Sequence, residues 1–271
     1  MSARKDIQDG RVTGNLTKKF GLIYTCNCGW IDLGHLNPEN VRPEIGAANL
    51  WKHINGEGPA VLKSQCKHWF APDDCKIDPY YRFRNGTTGF FVRYRQDNKL
   101  WKFSPGAERT YIVQHALGKT EKERVAFDIF SEVSIAFEKF QESASIREIL
   151  TQSGFSQEDL VSNLIGFYIG IGKLDRSSIL KKCHPVSAET AFAIWDRDGA
   201  VGKNKNREWK PQLAKDVVAV TDKACEVECL NASKKFPDEL KTIRPALAGR
   251  WHVSVHSEEY PTVILPTWNN N

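Results

Sequence analysis

The sequence predicts an α+β protein: a small, mostly antiparallel sheet packed by several helices. Three observations carry this. Between residues 80 and 115 apolar and polar side chains alternate in short runs broken at Asn85-Gly86 and Asp97-Asn98, and Asn-Gly between alternating runs is a strong hairpin signal. From Thr120 onward apolar residues recur at helical spacing. No repeat and no low-complexity linker divides the chain, so its 271 residues read as one α+β domain over 20–271 behind a polar, loosely held tail of residues 1–19.

The elements follow in order. Leu22-Ile23-Tyr24 is an apolar run with the character of a buried strand, and Leu22 to Thr25 is expected to join the sheet. Behind it Cys26, Cys28, Asp32 and His35 crowd together, with Gly29 and Gly34 allowing sharp turns. Ala47, Leu50, Trp51 and Ile54 mark a helix that Asn55-Gly56 ends. Tyr81 and Phe83, then Phe90, Val92 and Tyr94, then Leu100 to Phe103, then Thr110 to Val113, supply the strands. Thr120 with Glu123 reads as a capping box. Ala126, Ile129, Phe130, Val133, Phe137 and Phe140 share one helix face, with Glu132 at its edge and Glu138 and Glu142 reading as solvated.

Ser156, with Asp159 reciprocal to it, opens a helix buried through Leu160, Val161, Leu164, Ile165 and Tyr168. Asn163, Gly166 and Gly170 form a row that would let a second helix approach. Cys183-His184-Pro185 precedes a helix capped by Ser187 and running to Trp195. Asp196 to Gly199 reads as a turn, since the remaining ligands of a calcium loop are missing. Residues 202–209 form a basic loop. Leu213 to Leu230 reads as a helix with Cys225 and Cys229 as core thiols, and Trp251 to His256 as a strand with His252, Ser254 and His256 on one polar face.

A net charge of +5 is spread along the chain with no basic stripe interleaved with aromatics. Nucleic acid is therefore not expected as a partner, and on charge alone a polyanionic surface such as a bacterial cell wall fits about as well. No apolar run is long enough to cross a bilayer, and the first twenty residues lack the apolar core of a signal peptide. Seven cysteines exclude a complete disulfide framework.

Three chemistries are open to these residues. In the first, a cysteine is the nucleophile, His35 its base, and Asp32 or Asn163 the group that orients the imidazole. Cys28 and Cys183 compete for the nucleophile: Cys28 is near in sequence, and Cys183 sits ahead of a helix whose N-terminal dipole would lower its pKa. Asn163 and Trp30 are assigned to substrate contact. In the second, Glu132, half-buried and raised in pKa, is the acid of a glycan hydrolase, with Asp32 or Asp196 as second carboxylate. In the third, Cys26, Cys28, Cys66, His68 and Cys75 hold zinc in a non-enzymatic module. The spacing matches no standard finger, so neither metal nor other cofactor is expected.

The blocks CNCGWIDLGH, IFSEVSIAFEKFQ, FSQEDLVSNLIGFY and CHPVSAETAFAIWD resemble a bacterial family known mainly as a domain of unknown function, over roughly residues 21 to 250. The Gly-His turn after a strand is more loosely similar to permuted papain-like cysteine hydrolases of the cell-wall-peptidase type. There a histidine comes first and the cysteine later, which implies that His35 and Cys183 correspond. Some antibacterial effectors delivered by contact-dependent secretion are similar to such hydrolases. The resemblance implies a peptidoglycan hydrolase of the cysteine peptidase or amidase type, cytoplasmic in its producer, delivered to the periplasm of a target cell and matched by an immunity protein.

Overall fold

A computed structural model describes residues 2–12, 18–58, 82–97, 106–142, 154–214, 229, 232–247 and 249–255. The fold is α+β, with two small antiparallel sheets and five α-helices among the described residues. The chain divides into two compact units. Unit one comprises residues 1–38 and 136–242, and unit two residues 39–135 and 243–271. No helix among the described residues is long and apolar enough to cross a membrane. Cys66, His68, Cys75, Cys225, His256, the expected strand at Leu100 to Phe103 and most of the expected helix at Leu213 to Leu230 lie outside the described residues.

Unit one is built on a hairpin of β1 (Leu22–Thr25) and β2 (Gly29–Asp32), paired Leu22↔Asp32 to Thr25↔Gly29. Leu22 to Thr25, expected to join the larger sheet, forms its ladder with this near neighbour instead and is buried on both faces. The N-terminal residues are not loose: Ile7 bridges Leu22, Gln8 N–H donates to Leu22 O at 2.8 Å, and Ile7 is buried in the core. One apolar side chain at the right register is enough to dock the segment, and that is hard to see in a polar run. Tyr24, Trp30, Val186, Ile194, Trp195 and Val201 complete that core.

Four helices complete unit one. The C-terminal turns of α2 (Lys119–Glu142) belong here from Ala136 onward. The helix α3 (Asp159–Gly170) is buried nearly all round, as its apolar sequence requires. The short α4 (Arg176–Cys183) is capped by Asp175, whose side chain accepts from Ser178 N–H. The last, α5 (Ala188–Asp198), is capped by Ser187 as expected. Two disulfides tie the β1–β2 turn to distant chain: Cys28 to Cys183, and Cys26 to Cys229.

Unit two holds α1 (Ala47–Ile54) and the sheet β3 (Gly89–Asp97), β4 (Gly106–Gln114), β5 (His252–Ser254) in that order. The tight turn at Asn85-Gly86 is present, with Gly86 N–H bonded to Phe83 O. The cap of α2 lies earlier than Thr120 predicts: Gly118 N–H donates to Glu121 Oε2 at 2.7 Å. Directly opposed residues of antiparallel strands share a face, so Tyr111, Val113, His252 and Ser254 stand together. Tyr111 and His252 reach Glu132 and Asp128 of α2. His252 is thus buried, with Nε2 3.0 Å from Asp128 Oδ2, and does not sit on a solvent-facing polar strand.

Candidate functional site

The polar groups of unit one converge where β2 ends. Asp32, its last residue, is held on three sides. Its backbone N–H donates to Ser162 Oγ at 2.9 Å, its Oδ1 accepts from Gly34 N–H at 2.7 Å, and its Oδ2 accepts from Ser2 Oγ at 3.2 Å. The chain then turns, His35 N–H bonding Asp32 O, and lays the His35–Leu36 backbone on α3 at Gly166. Any Cβ there would collide with the His35 carbonyl oxygen. The row of small residues therefore admits a loop and not a second helix, and Asn163, buried one turn earlier, faces the same side of α3.

Beside His35 lie three acids, none of them chosen as catalytic from the sequence. Glu138, expected in solvent, is 1% exposed. It continues the row Ala126, Phe130, Ser134 at four-residue spacing, and that row is the signal that locates it. Its Oε2 accepts from Phe155 N–H at 2.7 Å. Phe155 stands in the left-handed region at φ 54°, a conformation that a bulky residue adopts only when its surroundings enforce it. Gly154 makes the approach possible, since a Cβ there would fall 2.5 Å from Glu138 O. Asp159 Oδ2 accepts from Ser156 N–H at 2.7 Å, the reciprocal bond anticipated from sequence. Glu158, beside it, is 2% exposed, and its Oε2 has no hydrogen-bond partner among the described residues.

Burial dominates the electrostatics. It pushes the Asp159 carboxyl well above the usual carboxylate range, and the charges of Glu138 and Glu158 push it further. Glu138 is raised by burial, against the Phe155 N–H, His35 and a hydrogen bond with Asp159. Glu158 is raised by burial and by the charge of Asp32, against Ser2 and His35. Burial thus favours the protonated form of all three acids, and Asp159 and Glu138 are joined by a hydrogen bond. His35 is half-buried, and its Nδ1 has no partner among the described residues. A cavity of about 370 Å³ is lined among others by Ser2, Lys5, Asp6, Phe20 and Asp32.

The structure therefore brings Asp32, His35 and the Asn163 helix together and separates the other predicted residues from them. Cys28 and Cys183 are bonded to each other, and a disulfide sulfur offers no thiolate, so neither is a nucleophile. Cys183 is moreover the last residue of α4, at the negative end of its dipole, the reverse of the expected placement. Cys26 and Cys28 are likewise withdrawn from any zinc site. Glu132 lies in unit two with both oxygens engaged, by Arg109 Nη1 at 2.5 Å and Tyr111 OH at 2.9 Å. Trp30 is 2% exposed, packed edge-on to Tyr24 and Trp195, and is a core residue unable to stack on a sugar.

No family model matches the chain, and no curated protein or solved structure is significantly similar to it.

Proposed function

We propose that the protein hydrolyses the glycan strand of a bacterial cell wall by acid–base catalysis, with Glu158 as proton donor and Asp32 as second carboxylate. One observation carries the reading: two carboxyl groups close enough for the charge of one to act on the other lie in opposite environments, and one of them, Asp32, lines a cavity. Glu158 is buried with a free Oε2 and a raised pKa. Asp32 is partly open, and its carboxyl oxygens accept from Gly34 N–H and Ser2 Oγ. Glycoside hydrolysis needs this division: one acid protonated at neutral pH to protonate the leaving oxygen, the other ionised to activate water or attack the sugar carbon. His35, beside Glu158, is the group through which that acid would be reprotonated.

A thiol-dependent peptidase or amidase, the first reading from sequence, is not kept, because its candidate nucleophiles are consumed in a disulfide. The cell wall is kept as target. Disulfides form and persist in oxidising spaces such as the bacterial periplasm, and unit one has two among the described residues. Delivery to the periplasm of a neighbouring cell, with an immunity protein in the producer, belongs to the same proposal.

The test is mass analysis of purified sacculi after incubation with the oxidised protein. Glycan cleavage releases intact disaccharide-peptides, and peptide or amide cleavage releases free peptides. The proposal expects the first. Free peptides, or no release, would overturn it.

A further inference from the structure

The sheet of unit two ends in a second cavity, which shares no lining residue with the first. It has a volume of about 370 Å³ and lies where β3 begins and β4 ends, between the C-terminal turn of α1 and the first turn of α2. One wall is apolar: Ile54, Phe90, Phe91 and Ala116. The lining also holds Lys122 and two imidazoles, His53 and His115, and no acidic residue among the described residues lines the cavity. Among those residues Lys122 Nζ meets a neutral group there, Asn55 Oδ1 at 3.2 Å. His115, held through Nδ1 by Thr88 Oγ1 at 3.1 Å, lies against the Phe90 ring, which leaves Nε2 as its remaining polar atom. His53 is 5% exposed, and its Nδ1 has no hydrogen-bond partner among the described residues.

A buried polar atom without a partner costs stability. A lysine facing a cavity without an acid is the complementary half of an anion site. We propose that this cavity binds a small organic carboxylate with an apolar, preferably planar body. The carboxylate would pair with Lys122 Nζ and accept from imidazole N–H, and the body would pack on the Phe90 ring. A single fixed cation suits a monoanion better than a phosphate dianion. The size falls within the range of small-molecule sites, which are commonly apolar with a few polar groups that fix orientation.

The test uses the full oxidised chain, with benzoate as probe, its uncharged analogue benzamide, and inorganic phosphate. Binding is followed by calorimetry and by the imidazole resonances of His53 and His115. Benzoate is expected to saturate and to move both histidines. Benzamide and phosphate are each expected to bind at least about tenfold more weakly, as is benzoate to Lys122→Met. Lys122→Arg, which keeps charge and fold, should retain most of the affinity. Absence of saturable benzoate binding overturns the proposal, as does equal binding of benzamide or phosphate, or undiminished binding to a folded Lys122→Met.

Discussion

Three carboxylates of unit two and the three buried acids of unit one are held in opposite ways. Asp97 is held between Arg42 at 2.7 Å and Arg95 at 3.0 Å, Glu132 is paired with Arg109, and Asp128 with His252. In unit one Glu138, Glu158 and Asp159 have no Arg or Lys ion pair among the described residues. They rest on backbone N–H groups and on one another. Glu132 and Glu138 stand on the same helix, so helix position is not what separates them. The difference lies in what each meets across the interface. A buried charge with a partner is a structural contact that need not add much stability. A cluster of buried acids that rest on backbone N–H groups and on one another has its pKa values raised by burial, and such shifts cluster at functional sites.

The largest expected effect comes from the disulfides. Each closes a long loop, with sequence separations of 155 and 203 residues, and removing a native bridge typically costs about 2–5 kcal/mol. Reduction should therefore lower the melting temperature sharply and expose the backbone amides of unit one to hydrogen exchange before those of unit two. Unchanged protection in unit one would break the comparison. Cell-wall cleavage that appears only after reduction would restore the thiol mechanism and remove the carboxylate one.

A smaller effect, with a definite sign, concerns pH. Glu138, Glu158 and Asp159 all have raised pKa values, so the folded state holds protons that the unfolded chain releases. Their contribution is fully present below the unfolded carboxylate values, near pH 4, and is lost as pH rises through the folded values. Unit one should be more stable under mildly acid conditions than under alkaline ones. Asp159→Asn, which keeps an acceptor for Ser156 N–H, should flatten that dependence in thermal melts across pH. An unaltered slope would mean that the cluster does not hold the protons assigned to it.

The smallest effect belongs to Glu132→Gln. The pair with Arg109 is partly exposed, with side-chain exposures of 38% and 31%, and such pairs contribute about 1 kcal/mol or less. Stability should drop within that range, with cell-wall cleavage unchanged. Loss of cleavage would place the acid in unit two and reverse the comparison.

Local chemistry was legible in the sequence wherever it acts over a few residues. The Asn85-Gly86 turn, the Ser187 cap, the Ser156–Asp159 bond and the alternation of β3 and β4 all rest on near neighbours. The polar turn carrying Asp32 and His35 stood out for the same reason. What spacing does not encode is pairing across the chain, and both disulfides belong to that class. The helix ending at Cys183 was missed because only Ile179, Leu180 and Cys183 are buried in it, too few to show a period. Glu138 was misread because the apolar stripe of α2 is wider than its hydrophobic residues show, with Ser134, Glu138 and Gln141 buried alongside them. Glu158 and Asp159 looked like ordinary acids at a helix start, where the dipole favours them, and only burial separates the two roles.

The central claim, that Glu158 is a buried acid kept for proton donation, is tested most directly by Glu158→Gln, measured for cleavage of sacculi and for thermal stability on the same preparation. Gln preserves shape and removes the proton and the charge. The account predicts a loss of cleavage on the order of 10² to 10⁴ in rate, the usual cost of removing a general acid, with a melting temperature equal to or above that of the unaltered chain. Full cleavage by the folded variant, or a loss matched by a proportionate fall in melting temperature, would contradict it.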